Sequence, residues 1–267
     1  MDWRGKVDWR GKVVVVTGAS SGVGAETVFM AARRGAIPVL LARNVEKMAD
    51  ISRNIPTEHM VLPLDVSDAF AVERAFAVIH EKYGHIDVLV NNAGFGVFEW
   101  FKDMPLHEFS EMMNVNYMGI VHCTKAALPG MLTRGSGHIV NVASVAGKLV
   151  TKKAVGYAAT KHAVIGFSNA LRMELRGTGV GLSTVNPGPI ATNFFDRADP
   201  SGQYLANLRK MGGVMLTAHQ VAEQIFRAVE QKRAEITMPW FAAFGVKVAQ
   251  LFPRFFERLT ERLLDKK

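Results

Sequence analysis

"VVVVTGASSGVGAETV", residues 13–28, is the stretch on which the fold turns. A run of branched apolar residues of strand length ends at Thr17. It passes through a turn containing Gly18, Gly22 and Gly24 and enters residues of helical period. A strand-to-helix turn this tight, with backbone able to approach a pyrophosphate, leaves no room for side chains. The first helical turn then offers free N–H groups and the positive end of its dipole to anionic oxygens. The spacing is G-x-x-x-G-x-G rather than G-x-G-x-x-G, and no Lys-Ser or Lys-Thr follows it, which excludes a Walker phosphate loop. Alone, the turn also suits an ordinary glycine-rich connection, so the rest of the chain has to decide.

Outward from it, apolar runs alternate with longer helical patterns. "IPVLLA" (37–42), "MVLPLDV" (60–66), "IDVLVNN" (86–92), "GHIVNVAS" (137–144), "GVGLSTVNP" (179–187) and "AEITMP" (234–239) are strand candidates. Helical stretches separate them, including a long one through Thr133 and another over about 155–176. The strands are rich in Val, Ile and Leu without polar alternation, as in a sheet covered on both faces. The pattern predicts an α/β fold: one Rossmann-type, doubly wound parallel sheet of about seven strands, with helices on both faces. A single domain over 13–239 is expected. An N-terminal arm over 1–12 precedes it, and an amphipathic tail over 240–267 follows. The arm contains "DWRGKV" twice, at 2–7 and 8–13, too short a repeat to be architectural and read here as a start-site artefact.

The chain has 267 residues, 49% of them apolar and 21% charged, ample for a core. One cysteine, Cys123, rules out a disulfide framework. With no signal-peptide pattern, a reducing, cytoplasmic location is expected, and Cys123 is read as packing. No apolar run approaches the roughly 20 residues of a membrane span. The net charge of +8 suits nucleic acid, an anionic membrane or anionic ligands. No zinc-finger, RNP or basic-region pattern supports nucleic acid, and the eight histidines form no metal-ligand spacing.

Chemistry concentrates further along. Tyr157 and Lys161 are four apart, one turn apart on one helix face. A nearby ammonium favours the phenolate and lowers a tyrosine pKa from about 10 toward neutrality. Ser144, at a strand end, can hold a substrate oxygen beside Tyr157. Asn116, in a helix it does not favour, is read as anchoring a water that passes a proton toward Lys161.

These residues resemble the short-chain dehydrogenase/reductase family. Thr17 to Gly24 fit its T-G-x-x-x-G-x-G turn, "NNAG" (91–94) its post-strand motif, and Asn116 its helix asparagine. Ser144 closes "VNVAS", "YAATK" supplies Tyr157 and Lys161, and "NPGPIAT" carries Pro187, Gly188, Ile190 and Thr192. The resemblance implies catalytic roles for Asn116, Ser144, Tyr157 and Lys161, with Lys161 also binding the nicotinamide ribose. For the cofactor it implies Thr17, Gly18, Ser20, Ser21, Gly22, Val23 and Gly24. Asp65 and Val66 fall on the adenine side, and Asn92, Ala93 and Gly94 along the adenosine. Pro187, Gly188, Ile190 and Thr192 fall at the nicotinamide, while Asn91 is read as bracing the sheet. A homodimer or homotetramer is also implied.

"LLARN" (40–44) bears on which dinucleotide is bound. Arg43 stands 19 residues after Gly24, where an acid would read the ribose hydroxyls. An arginine fork suits a 2′-phosphate instead, with Asn44 as a further donor. The expected cofactor is therefore NADP(H), although the glycine turn carries Ser20 and Ser21 where relatives often have a second basic residue. The working expectation is an NADPH-dependent reductase of a hydrophobic ketone or aldehyde, a small-molecule carbonyl substrate. The rival readings are an NAD-dependent alcohol dehydrogenase and a non-catalytic dinucleotide sensor. Residues 194–216 are expected to cover the substrate, with Phe95, Val97, Phe98 and Leu149 adding apolar walls. In the tail, Pro253 is expected to divide two short helices. The apolar residues Trp240, Phe241, Phe244, Leu251, Phe252 and Phe255 are expected to pack on the pocket or a subunit, ahead of peripheral membrane contact.

Overall fold

In a computed structural model, which describes residues 7–210, 214–252 and 254, seven parallel strands form one sheet. They are β1 (Val13–Thr17), β2 (Ile37–Ala42), β3 (Met60–Pro63), β4 (Val88–Asn91), β5 (Gly137–Val142), β6 (Val180–Pro187) and β7 (Glu235–Met238). Their order is β3-β2-β1-β4-β5-β6-β7, so the chain reverses direction of growth between β1 and β4. Ligands of doubly wound sheets collect at this switch, outside the carboxyl ends of the strands.

Alternation along β1 divides the core. Val14 and Val16 face helices α1 (Gly22–Arg33) and α9 (Ala218–Glu230), where they meet Val28, Met30, Ile225 and Phe226. Val13 and Val15 face the other layer, with Phe76 and Ile79 of α3 (Ala69–Tyr83) and Cys123 and Met131 of α5 (Gly119–Arg134). Cys123 is fully buried there and its thiol is pushed up to about 12 by burial, as befits a packing residue. Side-chain caps set the helix starts. Asn44 caps α2 (Val45–Ser52), Asp68 caps α3, and Thr217 with Gln220 makes a capping box on α9. Remaining helices are α4 (Leu106–Met113), α6 (Val155–Glu174), α7 (Phe194–Ala198), α8 (Gln203–Lys210) and α10 (Trp240–Leu251).

Three expectations change. The strand read over 60–66 stops at Pro63, because Asp65 turns the chain by accepting from the Ser67 N–H and hydroxyl. The long helix through Thr133 is interrupted by a π segment, Asn114–Met118, which contains Asn116. The arm expected over 1–12 is partly built into the fold. Trp9 is buried edge-on against Phe226 at 4.6 Å, and its indole N–H donates to Glu230. The readings of residues 1–6, of 211–213 within the substrate-covering stretch, and of Pro253 and Phe255 lie outside the described residues.

Trp9 belongs to the second copy of the duplicated hexapeptide, so its removal tests whether that copy is structural. Trp9→Ala is expected to cost about 3 kcal/mol, the range for truncating a packed aromatic. Urea melts should show a lowered midpoint at an unchanged slope, and an unchanged midpoint would make the segment dispensable.

Candidate active site

The sheet's carboxyl edge opens into a cavity of about 1080 Å³. Gly18, Ser20, Ser21, Gly22 and Val23 line one wall, and Asn92, Ala93 and Gly94 stand beside them. Arg43, Asn44, Asp65 and Val66 form the far end, while Pro187, Gly188, Ile190 and Thr192 face the turn from β6. Ser144, Tyr157 and Lys161 complete it. The sequence-derived set therefore converges on one space, with three residues standing behind its wall.

The first of these is Thr17, whose hydroxyl accepts from the Asn92 and Ala93 N–H groups at 3.0 Å and so is spent on joining β1 to β4. Gly24 lies under the turn, where a Cβ would come within 2.2 Å of the Gly18 carbonyl. Asn116 is fully buried. Its Oδ1 accepts from Phe95 N at 2.9 Å, and its Nδ2 donates to Phe95 O and Thr160 Oγ1. Its side-chain amide thus holds the Phe95 backbone at the cavity edge. Asn91 does brace the sheet, donating to Asn141 and Thr124.

Two observations fit a dinucleotide in this cradle. Gly18 and Gly22 have φ of +66° and +54°, and a Cβ on Gly18 would lie 2.8 Å from Ala93 Cα. In addition, Ser21 at the N-cap of α1 makes no side-chain cap, which leaves the first-turn N–H groups for anionic oxygens. At the far end Arg43 is largely exposed and lies 3.8 Å from Asp65. Burial pushes the Asp65 carboxyl up, but the Ser67 hydrogen bonds and the Arg43 charge outweigh it and hold the group below its ordinary value. Asn44 spends its side-chain oxygen on capping α2 at Lys47 N. Lys47 lines the same end and was not singled out from sequence. Its position one turn after Arg43, just inside the Asn44-capped helix, was the available signal.

At the centre, Tyr157 and Lys161 stand one turn apart on α6, with the Lys161 Nζ 5.7 Å from the Tyr157 ring centroid. The expected lowering of Tyr157 by this ammonium is reversed. Burial pushes the phenol above its ordinary value, and the Ser144 hydroxyl, hydrogen-bonding it, pulls only partly back. Lys161 bears the same desolvation with opposite sign and falls to about 8. Its Nζ donates to the Val142 carbonyl at 3.0 Å and would be 3.7 Å from a Cβ on Gly94. Ser144 also caps a single 3₁₀ turn, Val145–Gly147, by accepting from Ala146 N, which fixes its rotamer beside Tyr157. The group can therefore present a phenol proton and a hydroxyl to one oxygen, with a lysine near its own titration point behind them.

Beyond Tyr157 the walls are aromatic. Phe98 and Phe194 lie 5.5 and 5.7 Å from the tyrosine ring, and Tyr204 stacks on Phe98 at 4.0 Å. The Tyr204 hydroxyl meets Thr151 at 2.8 Å, which ties α8 across the opening. Phe241, Ala242 and Gly245 bring α10 onto the rim, while Trp240, Phe244 and Leu251 remain exposed.

Comparison with known proteins places this architecture. The short chain dehydrogenase family model matches residues 12–201. Dehydrogenase/reductase SDR family member 7B of Rattus norvegicus is 34% identical over 267 residues, covering 96% of this chain and 82% of that protein. A short chain dehydrogenase/reductase from Burkholderia phymatum, solved in complex with NAD, superposes with a TM-score of 0.85 at 28% identity, covering 93% of this chain and 96% of that one. The alcohol dehydrogenase of the archaeon Thermococcus sibiricus, complexed with 5-hydroxy-NADP, gives 0.75 at 27%, covering 86% and 96%. Matched over most of its length in sequence and in three dimensions, this chain belongs to the short-chain dehydrogenase/reductase family of oxidoreductases.

Proposed function

We propose that the protein reduces the carbonyl group of a hydrophobic ketone or aldehyde to an alcohol, using NADPH. The observation that carries this reading is the meeting of Ser144, Tyr157 and Lys161 at the floor of an aromatic chamber, beside a glycine cradle built for a dinucleotide. The nicotinamide of a bound cofactor supplies the hydride. Tyr157 gives its phenolic proton to the carbonyl oxygen, and Ser144 donates a hydrogen bond to that same oxygen. A phenol held above its ordinary value stays protonated throughout the neutral range, which favours donation and hence reduction. Lys161, close to its titration point, holds the proton that Tyr157 must regain. Asn116 acts at one remove by fixing the Phe95 backbone along the chamber edge.

Cofactor choice follows from charge. Arg43 and Lys47 present two cations at the adenosine end against the single carboxylate of Asp65. A 2′-phosphate in their reach gains charge-assisted hydrogen bonds of about 1.5–3 kcal/mol, or roughly 10- to 100-fold in affinity. The solved relatives include one bound to NAD and one to an NADP derivative, so this end of the cavity, more than the fold, carries the reading.

Titration of the purified protein with NADPH and NADH is expected to favour NADPH within that range. Arg43→Ala should lose about tenfold for NADPH alone, and Lys47→Ala, an exposed charge, a few-fold. Equal binding of both dinucleotides would leave the NAD-dependent reading standing. Tyr157→Phe separates enzyme from sensor: turnover should fall by at least about 100-fold while NADPH affinity is kept. Retained turnover would remove Tyr157 from the chemistry.

The pH profile tests Lys161. Its folded value is lowered to about 8, so it is charged below that pH and neutral above it. Reductive kcat is expected to hold through pH 7 and fall as pH rises through about 8. Tyr157 remains protonated over this interval. A flat profile up to the tyrosine range would mean that the lysine proton is not needed.

A further inference from the structure

We propose that Arg197 is a recognition site for an anionic group on the substrate, so that the preferred carbonyl compound is a hydrophobic chain ending in a carboxylate or a similar oxyanion. This rests on the reductase reading and specifies its substrate class. Among the described residues that line the cavity, Arg43, Lys47 and Asp65 lie at the adenosine end and Lys161 at the centre. Arg197 is the one charged side chain at the aromatic end.

Its setting is that of a guanidinium prepared for an acceptor. The Arg197 group lies over the Phe95 ring at 4.1 Å from the centroid, which fixes it by cation–π contact and leaves its in-plane N–H donors to other partners. Among the described residues the nearest anion is Glu111, at 3.8 Å, beyond hydrogen-bond reach, with both side chains about half exposed. Five donors at the edge of an apolar chamber thus face a loose, hydrated neighbour that a substrate anion can displace. Tyr157 and Arg197 line the same cavity, so one molecule can bridge both groups. Arg197 stands three residues after Phe194 on α7, and the Phe194 ring is 5.7 Å from that of Tyr157. A carbonyl at Tyr157 and an anion at Arg197 thus fall within one continuous cavity. Phe98, Phe194 and Tyr204 pack with Tyr157 in one apolar cluster on the cavity wall, so the linking chain is expected to be apolar.

The test compares 9-oxodecanoate with its methyl ester as substrates for the NADPH-loaded protein. The acid is expected to show a KM roughly 10-fold below that of the ester at similar kcat. Arg197→Met, which keeps an apolar stem over Phe95, should abolish that advantage and leave the ester unchanged. Glu111→Gln removes the competing carboxylate and should lower the KM of the acid further. Acid and ester reduced with equal KM, or both impaired equally by Arg197→Met, would overturn the Arg197 site and leave the reductase reading intact. If neither compound is reduced, that reading falls for medium-chain carbonyls. Direct titration of the two compounds into the loaded protein then judges Arg197 separately: tighter binding of the acid, lost in Arg197→Met, supports the site, and equal binding overturns it.

Discussion

The contact on which the rest of the molecule depends is made by the Thr17 and Asn92 side chains at the point where β1 and β4 part. Asn92 donates to the carbonyls of Thr17 and Gly18, while its own N–H and that of Ala93 reach back to the Thr17 hydroxyl. Gly18 and Gly24 allow this by having no Cβ, since one on either would fall inside 3 Å of a neighbouring backbone atom. The clamp holds two adjacent strands in register while their connections leave on opposite sides of the sheet. It also leaves the α1 terminus uncapped, facing the gap. Fold and binding cradle are thus one arrangement: filling either glycine would disturb strand pairing and phosphate approach together.

From that gap the chemistry is ordered by burial. Tyr157 and Lys161 share one helix face and one dry environment, but desolvation acts on them in opposite senses, because it penalises a phenolate and an ammonium alike. The tyrosine is kept in its protonated form and the lysine is brought to about 8. A mutual attraction strong enough to make a phenolate would have required Lys161 to face Tyr157 closely. Its ammonium is bonded to Val142 O, on β5, instead. The π segment contributes at the same level, since it carries Asn116 to where its amide can grip both polar atoms of the Phe95 backbone.

Residues whose role is tied to local spacing were legible in the sequence. The glycine turn, the Tyr157–Lys161 pair, Ser144 and Arg43 each declare themselves within a few positions, and the structure brings them to one cavity. What escaped depended on orientation or on distant chain. The amide partners of Asn116 lie 21 and 44 residues away, and no spacing rule could assign its amide to them. Trp9 was hidden by its place in a duplicated hexapeptide, because its burial is supplied by α9, more than 200 residues downstream. Lys47 and Arg197 look like solvated charges on short helices until the sheet sets their faces toward the cavity. The end of β3 was misjudged because an apolar run continues past Pro63, while an Asp65 turn, not hydrophobicity, stops the strand.

The distribution of charge around the cavity gives the net +8 of the chain a local meaning. Cations stand at both ends, Arg43 and Lys47 by the adenosine end and Arg197 by the aromatic one. The ammonium of Lys161 is buried between them. Such an arrangement disfavours a neutral, purely apolar occupant less than it favours one carrying anions at its extremities, since field lines in a low-dielectric cleft are concentrated rather than screened. On the proposed reading a phosphorylated dinucleotide would satisfy one end. The other remains paired only loosely with Glu111, at a separation where water competes effectively with the carboxylate. The aromatic wall between Tyr157 and Arg197 offers no hydrogen-bond acceptor on its ring faces. On the proposed reading, a substrate gains most there by being apolar in its middle and anionic at its end.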